Sequence, residues 1–165
     1  MTNIEVVEMK ANKKIKVCFA ASSGGHYEQL IMLKPLMDRY ESFMLTEKTL
    51  YDAEVKGMMT YYLKQVNRKE RSFLLSMIVN SFLSLWIYIK EKPDVIICTG
   101  VLAMIPMCLL MKLFRKRLIY IESFAKVTSP TETGKLLYKY SDQFYVQWES
   151  MKKFYPDGIY MGGIY

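Results

Sequence analysis

The sequence has few of the residues that usually bind metal ions. Its 165 residues include one histidine, His26, and three cysteines, each alone in an apolar run: Cys18, Cys98 and Cys108. No Cys-x-x-Cys pair or Cys/His ligand spacing occurs, which excludes a structural zinc site and indicates reduced, buried thiols in a cytosolic protein. We therefore expect no metal and no cofactor.

Signals for export and for nucleotide-binding loops are also missing. Residues 1–14 lack an apolar segment and so do not form a secretory signal; we predict a flexible tail there and a single domain over 15–165. The Gly-x-Gly-x-x-Gly spacing of a dinucleotide fold and a complete Walker motif are both absent, and Thr133-Gly134-Lys135 resembles only the end of the latter.

Acidic residues are outnumbered by basic ones, 16 to 23, which gives a formal net charge of +7. The basic residues cluster at 10–16, 64–71 and 112–117. This favours an anionic partner, such as a phosphorylated substrate, an anionic membrane surface or a nucleic acid. The chain contains no nucleic-acid reading module, and its apolar runs argue against one, so we predict no nucleic-acid partner.

The chain does contain a regular alternation of strand and helix patterns. Several predicted strands are continuous apolar runs, typical of strands that helices cover on both faces. This alternation predicts an α/β fold with a Rossmann-like, doubly wound parallel sheet. The predicted strands are 15–21, 42–46, 60–65, 94–99, 117–122 and 142–147. The predicted helices are 26–40, 72–91, 101–114, 131–140 (with Ser129 to Glu132 as a capping box) and 149–154.

Polar residues follow four of the predicted strands, at the end where ligands bind in open parallel sheets. Gly24 and Gly25 permit close backbone approach, and the helix that follows them favours an anion. A tight turn capped by Ser22 or Ser23 explains the same residues. The residues at the four strand ends are Ser22-Ser23-Gly24-Gly25-His26, Thr99-Gly100, Glu122-Ser123 and Gln147-Trp148.

Two of these residues are candidates for acid–base chemistry. A histidine with its ordinary pKa of about 6.5 suits proton abstraction at neutral pH. His26 equally suits a hydrogen bond to a bound phosphate, or a structural role. Glu122 is a candidate base or sugar ligand, and its alternative is to cap a helix or pair with Lys126. Trp148 offers a flat surface for a sugar or lipid, or else closes the core.

One segment raises the question of a membrane span. Residues 73–89 are uncharged and lie at the short end of the spanning range, which begins at about 17 residues. Ser76, Asn80 and Ser84 are spaced four apart and form one polar stripe, which a buried or interfacial helix explains better than a lone span. Residues 101–114 are apolar and run into a basic cluster, which fits either a bilayer-surface helix or a buried crossover helix.

These polar segments occur in an order that resembles a known family. The family is the membrane-associated subunit of two-chain GlcNAc transferases, which includes the eukaryotic dolichol-pathway anchor subunit and bacterial capsule and exopolysaccharide accessory proteins. The resemblance covers residues 14–165. Its segments are Ser22 to His26, Thr99-Gly100, Ile121 to Val127, Thr133-Gly134-Lys135 and Gln147-Trp148.

The resemblance implies the N-terminal, acceptor-side half of a GT-B glycosyltransferase, whose donor-binding half is a separate subunit. The implied reaction transfers a sugar from a UDP-sugar to a polyprenyl-diphosphate-linked saccharide in capsular or exopolysaccharide synthesis. The alternative is a non-catalytic membrane scaffold that activates the partner. His26 and Glu122 are then the catalytic candidates, and Gln147 and Trp148 line the partner side of the cleft. The implied acceptor-diphosphate residues are Ser22, Ser23, Gly24, Gly25, Thr99, Gly100, Ser123 and Lys126.

The chain departs from this family at two places. Eukaryotic members begin with an N-terminal membrane helix, whereas residues 1–14 here are polar. Membrane attachment therefore has to come from 73–89 or 101–114 together with the basic clusters, and we expect a peripheral or partly embedded protein on the cytoplasmic face of the plasma membrane. Lys126 stands where family members often carry arginine, which keeps the charge but loses the bidentate geometry.

Overall fold

The structure is a computed structural model that describes residues 14–49, 55, 57–100 and 102–165. The predicted tail, residues 1–14, lies outside the described residues except for Lys14. That residues 15–165 form a single domain stays a prediction.

Seven parallel strands form one sheet, in the spatial order β3-β2-β1-β4-β5-β6-β7. This confirms the predicted Rossmann-like α/β fold. Six of these strands are predicted from the sequence; the seventh is not, because its two residues are too few for a period-two pattern. The strands are β1 (Lys16–Ala20), β2 (Glu41–Glu47), β3 (Met59–Leu63), β4 (Val95–Cys98), β5 (Arg117–Ile121), β6 (Gln143–Val146) and β7 (Ile159–Tyr160).

The helices cover both faces of the sheet. The α1 and α2 helices lie on one face, and α3, α4 and α5 lie on the other. The helices are α1 (Gly25–Ile31), α2 (Lys34–Met37), α3 (Phe73–Glu91), α4 (Ile105–Leu113) and α5 (Glu132–Tyr138), with 3₁₀ turns at Leu102–Met104 and Glu149–Lys153.

Three predicted helices differ from those observed. The single helix predicted over 26–40 is interrupted between Ile31 and Lys34, and Pro35 sits in the first turn of the second piece. A proline lacks the N–H that a continuous helix needs at that position. The helix predicted over 101–114 begins with a 3₁₀ turn, and the one predicted over 149–154 is entirely 3₁₀.

The core consists of two layers, one on each face of the sheet. Alternate residues of β1 supply both layers: Cys18 and Ala20 face α3 and α4, whereas Val17 and Phe19 face α1 and α2. All four are buried, which explains why the strand has no polar alternation.

The strand order places the loops after β1 and β4 side by side. Both β2 and β4 flank β1, so the connections leaving the carboxyl ends of β1 and β4 run to opposite sides of the sheet. Such a switch point opens a crevice at the carboxyl edge, where α/β folds bind ligands. The residues after β1, β4 and β5 lie at this edge.

Candidate functional site

The loop after β1 is a turn made by glycine. Gly24 has φ of +78° and begins α1, and its carbonyl accepts hydrogen bonds from the backbone of Tyr27 (2.9 Å) and Glu28 (3.0 Å). No side chain caps the helix, and the Ser22 hydroxyl instead donates to the Ser23 carbonyl at 3.2 Å. The serine-capped turn is therefore not what forms here.

The loop after β4 is fastened to this turn. The Thr99 hydroxyl donates to the His26 carbonyl at 2.9 Å, and Gly100 has φ of +119°. A Cβ atom at Gly100 would lie 3.1 Å from Cε1 and 3.3 Å from Nδ1 of the His26 ring. Glycine is thus required at position 100 by the backbone and by the imidazole beside it. The structure brings Thr99, Gly100 and His26 together as predicted.

His26 is partly buried, and its Nδ1 atom has no hydrogen-bond partner among the described residues. Burial lowers the pKa of His26, while the backbone of Thr99 and the negative charge of Glu122 act in the opposite direction. The ring is therefore neutral at pH 7. A neutral imidazole has a lone pair that can accept a proton or a hydrogen bond.

Glu122, directly after β5, is buried and fully hydrogen-bonded. One carboxylate oxygen accepts from the Ser123 backbone at 2.8 Å, and the other accepts from the Tyr155 hydroxyl at 2.6 Å. The Thr131 hydroxyl lies 2.9 Å and 3.1 Å from the two oxygens, and its backbone N–H donates at 3.2 Å. Within the described residues Glu122 forms no ion pair with Lys126.

Thr131 connects Glu122 to the start of α5. It is the N-cap residue, and its hydroxyl accepts from the Gly134 backbone at 2.8 Å. The predicted cap, Ser129, is wrong by two residues, because the helix starts where Thr131 can bond both Gly134 and Glu122. A Cβ atom at Gly134 would collide with Glu122 Oε2 and lie 2.6 Å from the Tyr155 hydroxyl.

A pocket of about 320 Å³ opens between the His26 wall and the start of α5. Two cations, Arg68 and Lys126, line it, and neither forms an ion pair in the part of the chain that the structure describes. The one acidic lining residue, Glu132, is paired with Lys135 at 2.7 Å. The pocket is therefore electropositive. Its other lining residues are His26, Gly100, Leu102, Tyr120, Pro130, Thr131 and Thr133.

Gln147 and Trp148 lie elsewhere. The Gln147 amide donates to the Glu122 carbonyl at 2.8 Å and accepts from the Ile164 backbone at 3.0 Å, so it ties β5, β6 and the last residues together. Trp148 donates to the Phe124 carbonyl at 2.7 Å and packs against that ring. Neither lines the His26 pocket; Gln147 instead lines an apolar cavity of about 290 Å³ on the α1–α2 face. Their partner-side role stays a prediction.

The remaining predicted anion ligands also lie outside the pocket lining. Those residues are Ser22, Ser23, Gly24, Gly25, Thr99 and Ser123. The pocket lining includes polar residues that were not predicted as site residues, among them Arg68, Tyr120 and Thr131. Arg68 belongs to a basic cluster noted in the sequence, which is the one signal that pointed to it. Tyr120 is fully buried, and burial together with the charge of Glu122 raises its pKa, so it keeps its proton.

Solved structures of other proteins share the fold of this chain. MurG from Acinetobacter baumannii superimposes with a TM-score of 0.70 at 15% identity, over 82% of this chain and 42% of MurG. UDP-N-acetylglucosamine 2-epimerase from Rickettsia bellii gives a TM-score of 0.71 at 11% identity, over 92% of this chain and 46% of the epimerase. The chain thus spans less than half of these proteins. What the chain shares with these structures is the fold, a Rossmann-like α/β arrangement with a parallel sheet.

Sequence comparison then identifies the family. The chain belongs to the family described as oligosaccharide biosynthesis protein Alg14 like, which it matches over residues 46–164. The UDP-N-acetylglucosamine transferase subunit ALG14 of Mus musculus is 26% identical over 182 residues, covering 92% of this chain and 84% of the mouse protein. The predicted resemblance to a GlcNAc transferase subunit is confirmed at this level.

Proposed function

We propose that this chain is the acceptor-side subunit of a heteromeric glycosyltransferase. In this proposal a separate partner subunit binds a UDP-sugar, UDP-GlcNAc in the first instance, and the sugar is transferred to a saccharide linked to polyprenyl diphosphate. The relatives support this, since they are named as transferase subunits. The capsular or exopolysaccharide setting and the plasma-membrane location stay predictions.

The observation that carries the proposal is the electropositive pocket beside His26. Arg68 and Lys126 reach it from different segments of the chain, and neither forms an ion pair with a carboxylate among the described residues, although both help Lys135 to lower the pKa of the nearby Glu132. Two cations around a pocket of this size suit a diphosphate, since guanidinium and ammonium groups bind phosphate oxygens through charge-assisted hydrogen bonds. A diphosphate held there places the first sugar of the acceptor near the imidazole.

The His26 ring supplies the proposed base. In the transfer step the acceptor hydroxyl oxygen forms a bond to the anomeric carbon of the donor sugar, and the bond from that carbon to the UDP oxygen breaks. The hydroxyl proton passes to the imidazole, and UDP leaves with the electron pair of the broken bond. Such an in-line displacement inverts the anomeric configuration. The lowered pKa of His26 keeps the ring neutral and able to accept the proton at pH 7.

For Glu122 the contacts favour a positioning role. Both carboxylate oxygens already accept hydrogen bonds, from Ser123, Thr131 and Tyr155. A base must accept a proton from the substrate, and this carboxylate is committed to protein donors and buried from solvent. We infer that Glu122 holds Thr131, and through it the wall of the pocket formed by the start of α5.

The deciding experiment is a transfer assay with the chain and its co-purified partner. UDP-GlcNAc and a polyprenyl-diphosphate saccharide are supplied, and product is measured for each subunit alone and for the pair. Product is expected only from the pair, and calorimetry should detect UDP binding by the partner and not by this chain. Tight UDP-GlcNAc binding by this chain alone would overturn the division of the site between two subunits.

Charge variants in the same assay test the pocket. Arg68→Ala and Lys126→Ala should each raise the KM for the lipid-linked acceptor by about tenfold, with the donor KM unchanged. Lys139→Ala removes an exposed cation at the far end of α5 and serves as the matched control. Equal acceptor KM values for all four proteins would remove the diphosphate site and leave the scaffold role.

A further inference from the structure

The α3 helix has its small polar residues on the buried side and its large apolar residues on the exposed side, the reverse of an ordinary surface helix. The side it packs on the domain carries small polar residues, Ser76, Asn80 and Ser84, all buried. Its outer side carries seven large apolar residues that are exposed, and we call these the α3 face. The α3 face consists of Leu74, Leu75, Ile78, Val79, Phe82, Trp86 and Ile89.

The α3 face is continuous along the helix. At 100° per residue its seven side chains fall within an arc of about 140° that runs from the first turn to the last. Phe82, at the middle of the helix, is 70% exposed, and Leu74, near its start, is 71% exposed. A contiguous apolar surface of this length on a soluble domain marks a contact with another apolar phase or partner.

The inner side of α3 contacts the domain both near its middle and near its end. The Asn80 side chain accepts from the Lys64 backbone N–H at 2.9 Å and donates to its carbonyl at 2.8 Å, just after β3. Nearer its end, Tyr88 stacks on Phe114 after α4, with ring centroids 4.4 Å apart. By length and composition α3 is the one described helix able to cross a membrane. A helix bound along one side, however, offers lipid only its other side.

Positive charges stand at both ends of the α3 face. The segment before the helix carries Lys64, Arg68, Lys69 and Arg71 against a single acid, Glu70. At the other end Lys90 lies 5.0 Å from the Trp86 ring, and the adjacent acid, Glu91, is paired with Lys16 at 2.7 Å. This arrangement suits an anionic bilayer surface, since the apolar residues can insert among the acyl chains while the flanking cations contact the lipid phosphates.

We propose that the α3 face docks this subunit on an anionic phospholipid surface, with α3 lying parallel to the membrane plane. Arg68 belongs both to the basic segment before α3 and to the His26 pocket, so docking brings that pocket to the lipid headgroups. This last step rests on the proposed function, because it is a lipid-linked diphosphate that gains from the placement. Membrane docking itself does not depend on it.

Vesicle sedimentation of the full chain, with no donor or acceptor present, tests the docking. Binding to vesicles that contain phosphatidylglycerol should exceed binding to pure phosphatidylcholine and should weaken in high salt. The variant Leu75→Ser/Phe82→Ser/Trp86→Ser should bind at least about tenfold more weakly. Met32→Ser/Leu136→Ser/Met161→Ser changes three exposed apolar residues elsewhere and should bind as the parent does. Circular dichroism of both variants verifies that they are folded.

Depth measurements separate a flat helix from a spanning one. Phe82→Trp in a Trp86→Phe background places an indole at the middle of α3, and the Trp86→Phe protein gives the background from Trp148. Lipids brominated near the headgroup should quench the new indole more than lipids brominated near the chain ends. Stronger quenching at the bilayer centre would overturn the parallel orientation.

Two further results would overturn the docking surface. One is equal vesicle binding by the α3 variant and the parent protein. The other is unchanged vesicle binding with loss of the partner subunit from the α3 variant, which would make the α3 face a protein interface. Loss of sugar transfer with vesicle binding intact would count against the proposed function alone.

Discussion

His26 and Glu122 stand at the same edge of the sheet and have opposite surroundings. The His26 ring lines a pocket and has a nitrogen without a hydrogen-bond partner among the described residues. The Glu122 carboxylate is buried beneath that pocket and accepts bonds from three residues. Both follow a parallel strand, so position at a strand end predicts where a side chain lies and leaves its role open. The hydrogen bonds that each side chain already makes within the protein decide whether it is available to a ligand.

The largest expected effect tests the role of His26 in this comparison. Changing His26→Gln removes the proposed base while keeping a polar side chain of similar reach. Sugar transfer by the reconstituted pair should fall about 10²- to 10⁴-fold, the usual contribution of general base catalysis. The free energy of unfolding, measured by urea denaturation, should change little. Near-normal turnover would show that the imidazole only holds the loop in place.

A second prediction concerns the hydrogen bonds that Glu122 accepts. Glu122→Ala leaves Tyr155, Thr131 and the Ser123 N–H without their acceptor, and the free energy of unfolding should fall by about 3 kcal/mol or more. Glu122→Gln keeps the shape and one acceptor oxygen and should cost about half as much. The exposed Glu149→Gln is the control and should unfold as the parent does. A stable Glu122→Ala protein that has lost transfer would reassign Glu122 to catalysis.

A series of glycine variants tests the contact between the two loops of the site. Gly100→Ala should cost about 1–3 kcal/mol, because φ is +119° and the new methyl meets the His26 ring. Gly24→Ala has a positive φ but open space, so it should cost about 1 kcal/mol. Gly25→Ala has neither problem and should be close to neutral. Equal costs for Gly100→Ala and Gly24→Ala would show that the imidazole does not press on Gly100.

The fold was predictable from the sequence because its signals are local. Six of the seven strands were predicted, several of them from continuous apolar runs. The polar stripe of Ser76, Asn80 and Ser84 predicted a buried or interfacial helix, and all three side chains are buried against the domain. Residues 73–89 and 101–114 are both apolar, yet α4 buries Ile105, Met107 and Met111 whereas α3 exposes seven large apolar residues and buries Ile87. Which side of a helix faces the sheet depends on its partners, and hydropathy alone does not contain that information.

Only part of the candidate site was predictable from the sequence. His26 and Gly100, which follow strand ends, and Lys126, which came from the family resemblance, line the pocket. Arg68 was not selected, because it lies on no strand end and reaches the pocket through the fold. Thr131 was missed because the capping box drew the helix start to Ser129, whereas the deciding bond, from Thr131 to Glu122, joins residues nine apart. Contacts of this kind become visible only once the chain is folded.

The smallest expected effect is a pH dependence that belongs to His26. Since the pKa of His26 is lower in the folded state than its usual value, the unfolded chain binds the proton more readily. The resulting stabilisation is complete above about pH 6.5 and is lost as the pH falls from there through the folded-state pKa.

Buried carboxylates also lose stability in acid, so the measurement has to be a difference. Urea denaturation of the parent and of His26→Gln at about pH 7.5 and about pH 5.5 isolates the part due to the imidazole. The parent should lose more stability between these two pH values than the variant does, because only the parent has a ring that protonates on unfolding. An equal loss in both proteins would mean that the ring is solvated like a free histidine. The contrast between His26, whose Nδ1 has no hydrogen-bond partner among the described residues, and the fully hydrogen-bonded Glu122 would then rest on geometry alone.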